Sequence, residues 1–207
     1  MKKTILFGLS LFFALAMNAQ TEILNIDGTL VNPVGIAVQD SRLFIGQVGN
    51  QTLSEIDLSQ PDPKPITNLD EDISLIGDMI VDGNTLYISS SDDNGSIYQI
   101  DLTDTNNTVT QLISNLGGMT FGLAIQNNDL YATIRLSNKI VKIDLSQSTP
   151  TASDFLINIP GFAINDLAIY QNYLYIAIGD SNGGDRIARV NLADSNPTEE
   201  LVINNIP

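Results

Sequence analysis

Leu43-Phe44-Ile45, Leu86-Tyr87-Ile88, Leu130-Tyr131-Ala132 and Leu174-Tyr175-Ile176 are one stretch written four times, at intervals of 43, 44 and 44 residues. Eight residues before each copy stand Gly35, Asp78, Gly122 and Asp166. After each copy comes a β-prone run ending in Ile56-Asp57-Leu58, Ile100-Asp101-Leu102, Ile143-Asp144-Leu145 or Val190-Asn191-Leu192. Self-similarity at a fixed period of this length marks a repeat architecture.

Within the first unit, Asn32 to Val38 reads as a strand, Gln39-Asp40-Ser41 as a tight turn and Leu43 to Gln47 as a second strand. A polar loop leads to a third strand, Leu53 to Leu58. That third strand carries Leu53, Ile97, Ile140 or Ile187, with Glu55, Gln99, Lys142 or Arg189 two residues later, a pattern of partial exposure. The second strand of the fourth unit, Tyr173 to Ile178, is apolar throughout, and the expectation is a strand covered on both faces. Each unit then passes a Ser/Asp/Pro-rich loop into a short fourth strand: Pro65–Leu69, Val109–Leu116, Phe155–Ile159 and Glu200–Ile203.

Four antiparallel strands per repeat of about 44 residues is the size of a β-propeller blade. One blade cannot cover its own two faces, whereas radial stacking buries both. The expected fold is all-β, a propeller of about four four-stranded blades, with units near 31–69, 74–116, 119–159 and 162–206. Glu22 to Ile26 has the character of an outer strand, yet the fourth unit already ends in its own, Leu201-Val202-Ile203. The expectation is therefore an incomplete ring that lacks one or two blades; a closed four-bladed ring with a redundant first strand is the alternative.

Residues 1–20 stand apart. Lys2 and Lys3 precede an apolar run from Ile5 to Met17 that is short for a membrane span, which reads as a secretory signal peptide. Cleavage could follow Ala16 or Ala19. The mature chain is thus expected to be secreted, periplasmic or at the cell surface, without membrane insertion; lacking cysteine, it has no acylation site and no disulfide. Lys2 and Lys3 are the only charged residues of the leader, so nine basic residues fall to seven against 24 acidic ones, a formal charge of −17. Such a surface repels phosphate backbones, and nucleic acid is not an expected partner.

The segment Asn32-Pro33-Val34-Gly35-Ile36-Ala37-Val38, followed by Leu43-Phe44-Ile45 and by Asn50 before Ile56, resembles the NHL repeat. The whole mature chain is similar to NHL and SMP-30/gluconolactonase-type propellers. The resemblance implies a six-bladed ring, and for the lactonases a metal held by Glu, Asn and Asp near the channel mouth. Asn165 and Asp166 stand where those ligands would be sought.

The chain has no histidine and no cysteine, which removes Ser-His-Asp and Cys-His catalysis and histidine-ligated zinc. Carboxylate and amide oxygens remain. Loops that open on one rim carry Asp70, Glu71, Asp72 and Asp78, then Asp92, Asp93 and Asn94, then Asn165, Asp166, Asp180, Asn182 and Asp185. Asp78, Asp92, Asp93, Asn165 and Asp166 are the candidate ligand-binding rim. Calcium, which takes six to eight oxygens, is the candidate cofactor, with Asp180, Asn182 and Asp185 its best local ligands. That segment lacks an oxygen at Gly184, and a Gly-rich hairpin turn is the favoured reading of it. Asp78 and Asp166 have a structural alternative, satisfying backbone amides at the strand start. Asp57, Asp101, Asp144 and Asn191 read as Asx-turn residues, and Tyr87, Tyr131 and Tyr175 as core. Two functions follow: a non-catalytic binding or scaffold module for an extracellular protein or glycan, or a metal-dependent lactonase-like hydrolase in which Asp166 acts as base.

Overall fold

A computed structural model describes residues 26–62, 64–70, 73–161, 163–179 and 184–204. The leader, and with it the predicted signal peptide, lies outside the described residues. Seventeen strands and one short 3-10 turn make up the described chain. β1 is Ile26–Asp27, and the first blade follows as β2 (Pro33–Gln39), β3 (Arg42–Gln47), β4 (Thr52–Asp57) and β5 (Lys64–Asp70). The second blade is β6 (Ile76–Asp82), β7 (Thr85–Ser90), β8 (Ser96–Asp101) and β9 (Val109–Ser114). The third is β10 (Thr120–Gln126), β11 (Asp129–Ile134), β12 (Lys139–Asp144) and β13 (Ala152–Leu156); the fourth is β14 (Ala163–Tyr170), β15 (Tyr173–Gly179), β16 (Arg186–Asn191) and β17 (Glu200–Ile203).

Each blade is an antiparallel meander whose strands pair in sequence order. The reason is local: two-residue polar turns such as Asp40-Ser41, Gly83-Asn84 and Asn127-Asn128 join the first two strands, and Asp40, Gly83 and Asn127 hold positive φ. Asx turns close the third strands. Asp57 Oδ1 accepts the Ser59 N–H at 2.9 Å, Asp101 that of Thr103, Asp144 that of Ser146 and Asn191 that of Ala193.

The core lies between blades, as stacking of two-faced sheets requires. Phe44 and Leu53 of the first blade pack on Met79, Leu86, Ile88 and Ile100 of the second. Tyr87 and Ile97 of the second pack on Leu123, Leu130, Ala132 and Ile143 of the third. Tyr131 and Ile140 of the third pack on Leu167, Leu174, Ile176 and Val190 of the fourth, with Phe155 edge-on to Tyr131 at 4.9 Å. The same repeat positions make all three interfaces, and the fold is an incomplete propeller.

Two expectations need correction. β15 is not covered on both faces: Leu174, Ile176 and Ile178 are buried, but Tyr173, Tyr175 and Ala177 between them are half-exposed, because among the described residues no blade stacks on that face. The outer strand of the third blade runs over Ala152–Leu156, not Phe155–Ile159. An outer strand has one neighbour and much solvent, so its polar residues Ser153 and Asp154 pair with Lys142 and Val141 although hydrophobic content points further along the chain. Of the outer strand expected at Glu22 to Ile26, only Ile26 falls within the described residues; with Asp27 it forms β1, which pairs in parallel with β5 at Lys64 and Pro65.

Candidate functional site

The four inner strands β2, β6, β10 and β14 converge on a small cavity of about 140 Å³, lined by Val34, Gly77, Asp78, Phe121, Gly122, Asn165 and Asp166. Repeat spacing brings three of the four positions eight residues before a Leu-aromatic stretch, Asp78, Gly122 and Asp166, to this channel mouth, and the first blade contributes Val34, next to Gly35. Crowding there explains the small residues. A Cβ on Gly122 would lie 2.6 Å from the Asp166 Cα, and one on Gly77 2.7 Å from the Thr120 carbonyl oxygen.

Asp78 is committed to the backbone. Its Oδ1 accepts the Met79 N–H at 2.7 Å and its Oδ2 accepts the Leu123 N–H of the third blade at 2.9 Å. Ser89 adds to this junction: its hydroxyl accepts the Asp78 N–H and reaches the Phe121 carbonyl oxygen at 2.7 Å. Burial pushes the Asp78 carboxyl above the ordinary carboxylate value, the two amides work against that rise, and the charge of Asp166 adds to it. Asp166 repeats half of the pattern: its Oδ1 accepts the Leu167 N–H at 2.8 Å, and its residue is exposed. Asn165 is exposed beside it, with its Nδ2 on the Gly179 side of the mouth.

The remaining rim residues are scattered. Asp92 Oδ1 accepts the N–H groups of Asn94 and Gly95, and its Oδ2 accepts the Ser90 hydroxyl at 3.1 Å, so it organises its own turn. Asp93 is exposed next to it. Asp185 is exposed and lies with Asn165 near Gly179. Asp180 and Asn182, the other two proposed calcium ligands, lie outside the described residues. Among the described residues, no group of three or more acidic side chains is placed to hold a metal ion.

Two features had no sequence signal. Arg135, on the 3-10 turn Arg135–Ser137, lays its guanidinium over the Phe121 ring at 4.9 Å, a cation beside the channel mouth of an acidic protein. On the opposite rim, Asn84, Thr85, Gln99, Asp101, Thr103, Asp104, Thr108 and Thr110 line an open polar groove of about 700 Å³. Cross-strand register assembles it, setting Thr85 opposite Asp101 and Gln99 opposite Thr110.

No protein-family model matches the chain, and no curated protein does. Solved structures do, as folds. A chain from the crystal structure of a nidogen/laminin complex superposes with a TM-score of 0.67 at 16% identity, over 88% of this chain and 66% of that one. The crystal structure of the computationally designed Ika4 protein gives 0.57 at 13% identity over 81% of this chain and 97% of that one. The designed Ika8 protein gives 0.59 at 13% identity over 86% and 50%. These are β-propeller-containing proteins, and the likeness is one of fold.

Proposed function

We propose that the chain is a secreted, non-catalytic propeller module that binds an extracellular protein or glycan and presents or positions it. The observation that carries this reading is the commitment of Asp78. The most buried carboxylate of the channel gives both oxygens to backbone amides, so it serves the junction of two blades and is not a free base. The groove on the opposite rim supplies what a polar ligand needs, hydroxyl, amide and carboxylate groups on an open surface.

The second reading is a metal-dependent lactonase of the SMP-30/gluconolactonase type, to which an NHL-like propeller also belongs by resemblance. It is favoured by the exposed Asn165 and Asp166 at the channel mouth, where an added divalent ion would find two oxygen ligands.

One pair of measurements on the purified protein separates them. Glucono-δ-lactone hydrolysis is followed with EDTA and then with calcium, manganese or zinc, beside affinity electrophoresis through a panel of soluble polysaccharides. Saturable retardation by one polysaccharide, without lactone turnover, supports the binding module. Metal-dependent turnover that Asp166→Asn abolishes would overturn it.

A further inference from the structure

Three arginines among the described residues lie over aromatic rings: Arg42 over Phe44 at 4.9 Å, Arg135 over Phe121 at 4.9 Å and Arg189 over Tyr173 at 4.4 Å. Stacking occupies the face of a guanidinium and leaves its N–H edge to meet an anion. Two of the three use that edge on a carboxylate. Arg42 Nε and Nη2 donate to the two carboxylate oxygens of Glu55 at 2.9 and 2.8 Å, and Arg189 Nε and Nη2 to those of Glu200 at 2.9 and 3.1 Å. Arg135 has the ring without the carboxylate. Its Nε is buried and has no hydrogen-bond partner among the described residues, whereas the six other basic residues described each make an ion pair. In a chain with 24 acidic residues against nine basic ones, a guanidinium paired with none of the described carboxylates is an exception.

The turn that carries it is pinned on both sides. The Arg135 N–H donates to the Met119 carbonyl oxygen at 2.9 Å, at the entry to the inner strand of the third blade. Asn138 Nδ2 donates to the Gly161 carbonyl oxygen at 2.9 Å, at the entry to the fourth. Buried polar atoms are hydrogen-bonded as a rule, yet Thr133 Oγ1 and Asn138 Oδ1, in the same short segment, are also buried without a partner among the described residues. Phe121, under the guanidinium, lines the channel-mouth cavity with Asn165 and Asp166. The mouth therefore offers a cationic fork, an apolar ring, and carboxylate and amide oxygens that accept hydroxyl donors.

We infer that Arg135 binds the carboxylate of a sugar acid, a uronate unit of an acidic glycan, whose hydroxyls donate to Asp166 and Asn165. A planar carboxylate meets the guanidinium edge in two parallel hydrogen bonds, as Glu55 and Glu200 do for the other two stacked arginines. A phosphate dianion would face Asp166 with nothing to donate to it, whereas a uronate brings hydroxyl donors with its single charge. The site lies away from the groove beside Thr85 and Asp101, and it stands whether or not that groove holds a ligand.

The experiment is isothermal titration calorimetry of the purified protein with disaccharides of galacturonate, glucuronate and mannuronate, and with the methyl ester of each. One uronate is expected to bind saturably. Its ester, which keeps the hydroxyls and removes the charge, is expected to bind about tenfold or more weakly. Arg135→Gln is expected to cause a similar loss, and Arg135→Lys, which keeps the charge but not the fork, a smaller one. Arg189→Gln removes an equal charge and another stacked arginine, and is expected to leave the affinity unchanged. Circular dichroism and the melting midpoint establish that each variant is folded, and the ester comparison on the wild type needs no variant at all. Acetate, which lacks the hydroxyls, is expected not to compete. No binding of any of the three uronates at about 10 mM, ten times a millimolar dissociation constant, overturns the inference. So does an ester that binds as tightly as its acid, competition by acetate at equal concentration, or an affinity that Arg135→Gln leaves unchanged.

Discussion

The carboxylate of Asp78 in the second blade accepts the backbone N–H of Leu123 in the third, at 2.9 Å and across 45 residues of sequence. A side chain thereby closes a junction that the backbone ladders, which run within blades, leave open. Gly122, next to Leu123, sets its Cα against the Asp166 backbone of the fourth blade. The alternation of Gly and Asp along the repeat is thus an alternation of two ways to join neighbouring blades.

Asp78→Ala removes both acceptors and leaves the Met79 and Leu123 amides without them. A hydrogen bond to a charged group contributes about 1.5–3 kcal/mol, and the carboxylate also carries a desolvation cost, so the net loss is expected near 2 kcal/mol. Urea unfolding gives the number. An unchanged midpoint would show that the junction holds without the carboxylate.

The pH dependence of the same residue has a definite sign. Because the folded-state value of Asp78 is raised, the folded protein binds its proton more tightly than the unfolded chain does. Its contribution to stability therefore grows as pH falls from that raised value to the ordinary carboxylate value, and is constant below. Urea midpoints at pH 7, 5 and 4 are expected to move in favour of the wild type relative to Asp78→Asn.

Asp57 runs the other way. The Ser59 hydroxyl, the Gln60 amide and the Ser59 N–H hold its carboxyl down at about 2, from an ordinary 3.8. The turn's stabilisation is present above the ordinary value and is lost as pH falls from there through about 2. Asp57→Asn, which keeps an acceptor for the turn but not the charge, is expected to flatten the loss of stability between pH 4 and 2, read by the same urea midpoints.

Gly122→Ala and Gly35→Ala are the same substitution at the same repeat position with different outcomes. At Gly122 the new Cβ meets the Asp166 Cα at 2.6 Å and the Leu167 N at 2.9 Å, backbone atoms that cannot yield alone, and the cost is expected at about 1–3 kcal/mol. At Gly35 the nearest atom is 3.4 Å away, an ordinary contact, and the change is expected to be within about 1 kcal/mol of neutral. Equal losses in thermal melts would mean that blades 1 and 2 are packed as tightly as blades 3 and 4.

Tyr131→Ala and Tyr175→Ala make a second such pair. Tyr131 is buried between blades against Phe155, and its truncation is expected to cost about 3–5 kcal/mol. Among the described residues Tyr175 has only its own blade beside it, and its truncation is expected to cost about 1 kcal/mol, from partial loss of buried area. Chemical denaturation makes the comparison.

Much of the fold was legible because each blade is a local object. Alternating apolar residues, polar two-residue turns and Asx turns at Asp57, Asp101 and Asp144 are properties of neighbouring residues, and the structure places them as the sequence suggests. The outer strand at Ala152–Leu156 was less legible, since an edge strand needs backbone pairing more than apolar side chains. The candidate site was legible only in part. Repeat spacing leads Asp78, Asn165 and Asp166 to one channel mouth, but nothing in their spacing says that Asp78 turns both oxygens onto amides while Asp92 serves its own turn. The groove beside Thr85 and Asp101 and the stacking of Arg135 on Phe121 depend on register and loop path, which composition does not record.

The sequence by itself determined a repeated four-stranded unit, its turns and the faces each unit must bury, because periodicity and turn chemistry act over a few residues. Only the tertiary structure decided which of those faces are covered. Tyr131 and Tyr175 occupy the same place in the same motif, yet one lies buried between two blades and the other faces outward, because burial depends on what stands opposite and not on the residue itself.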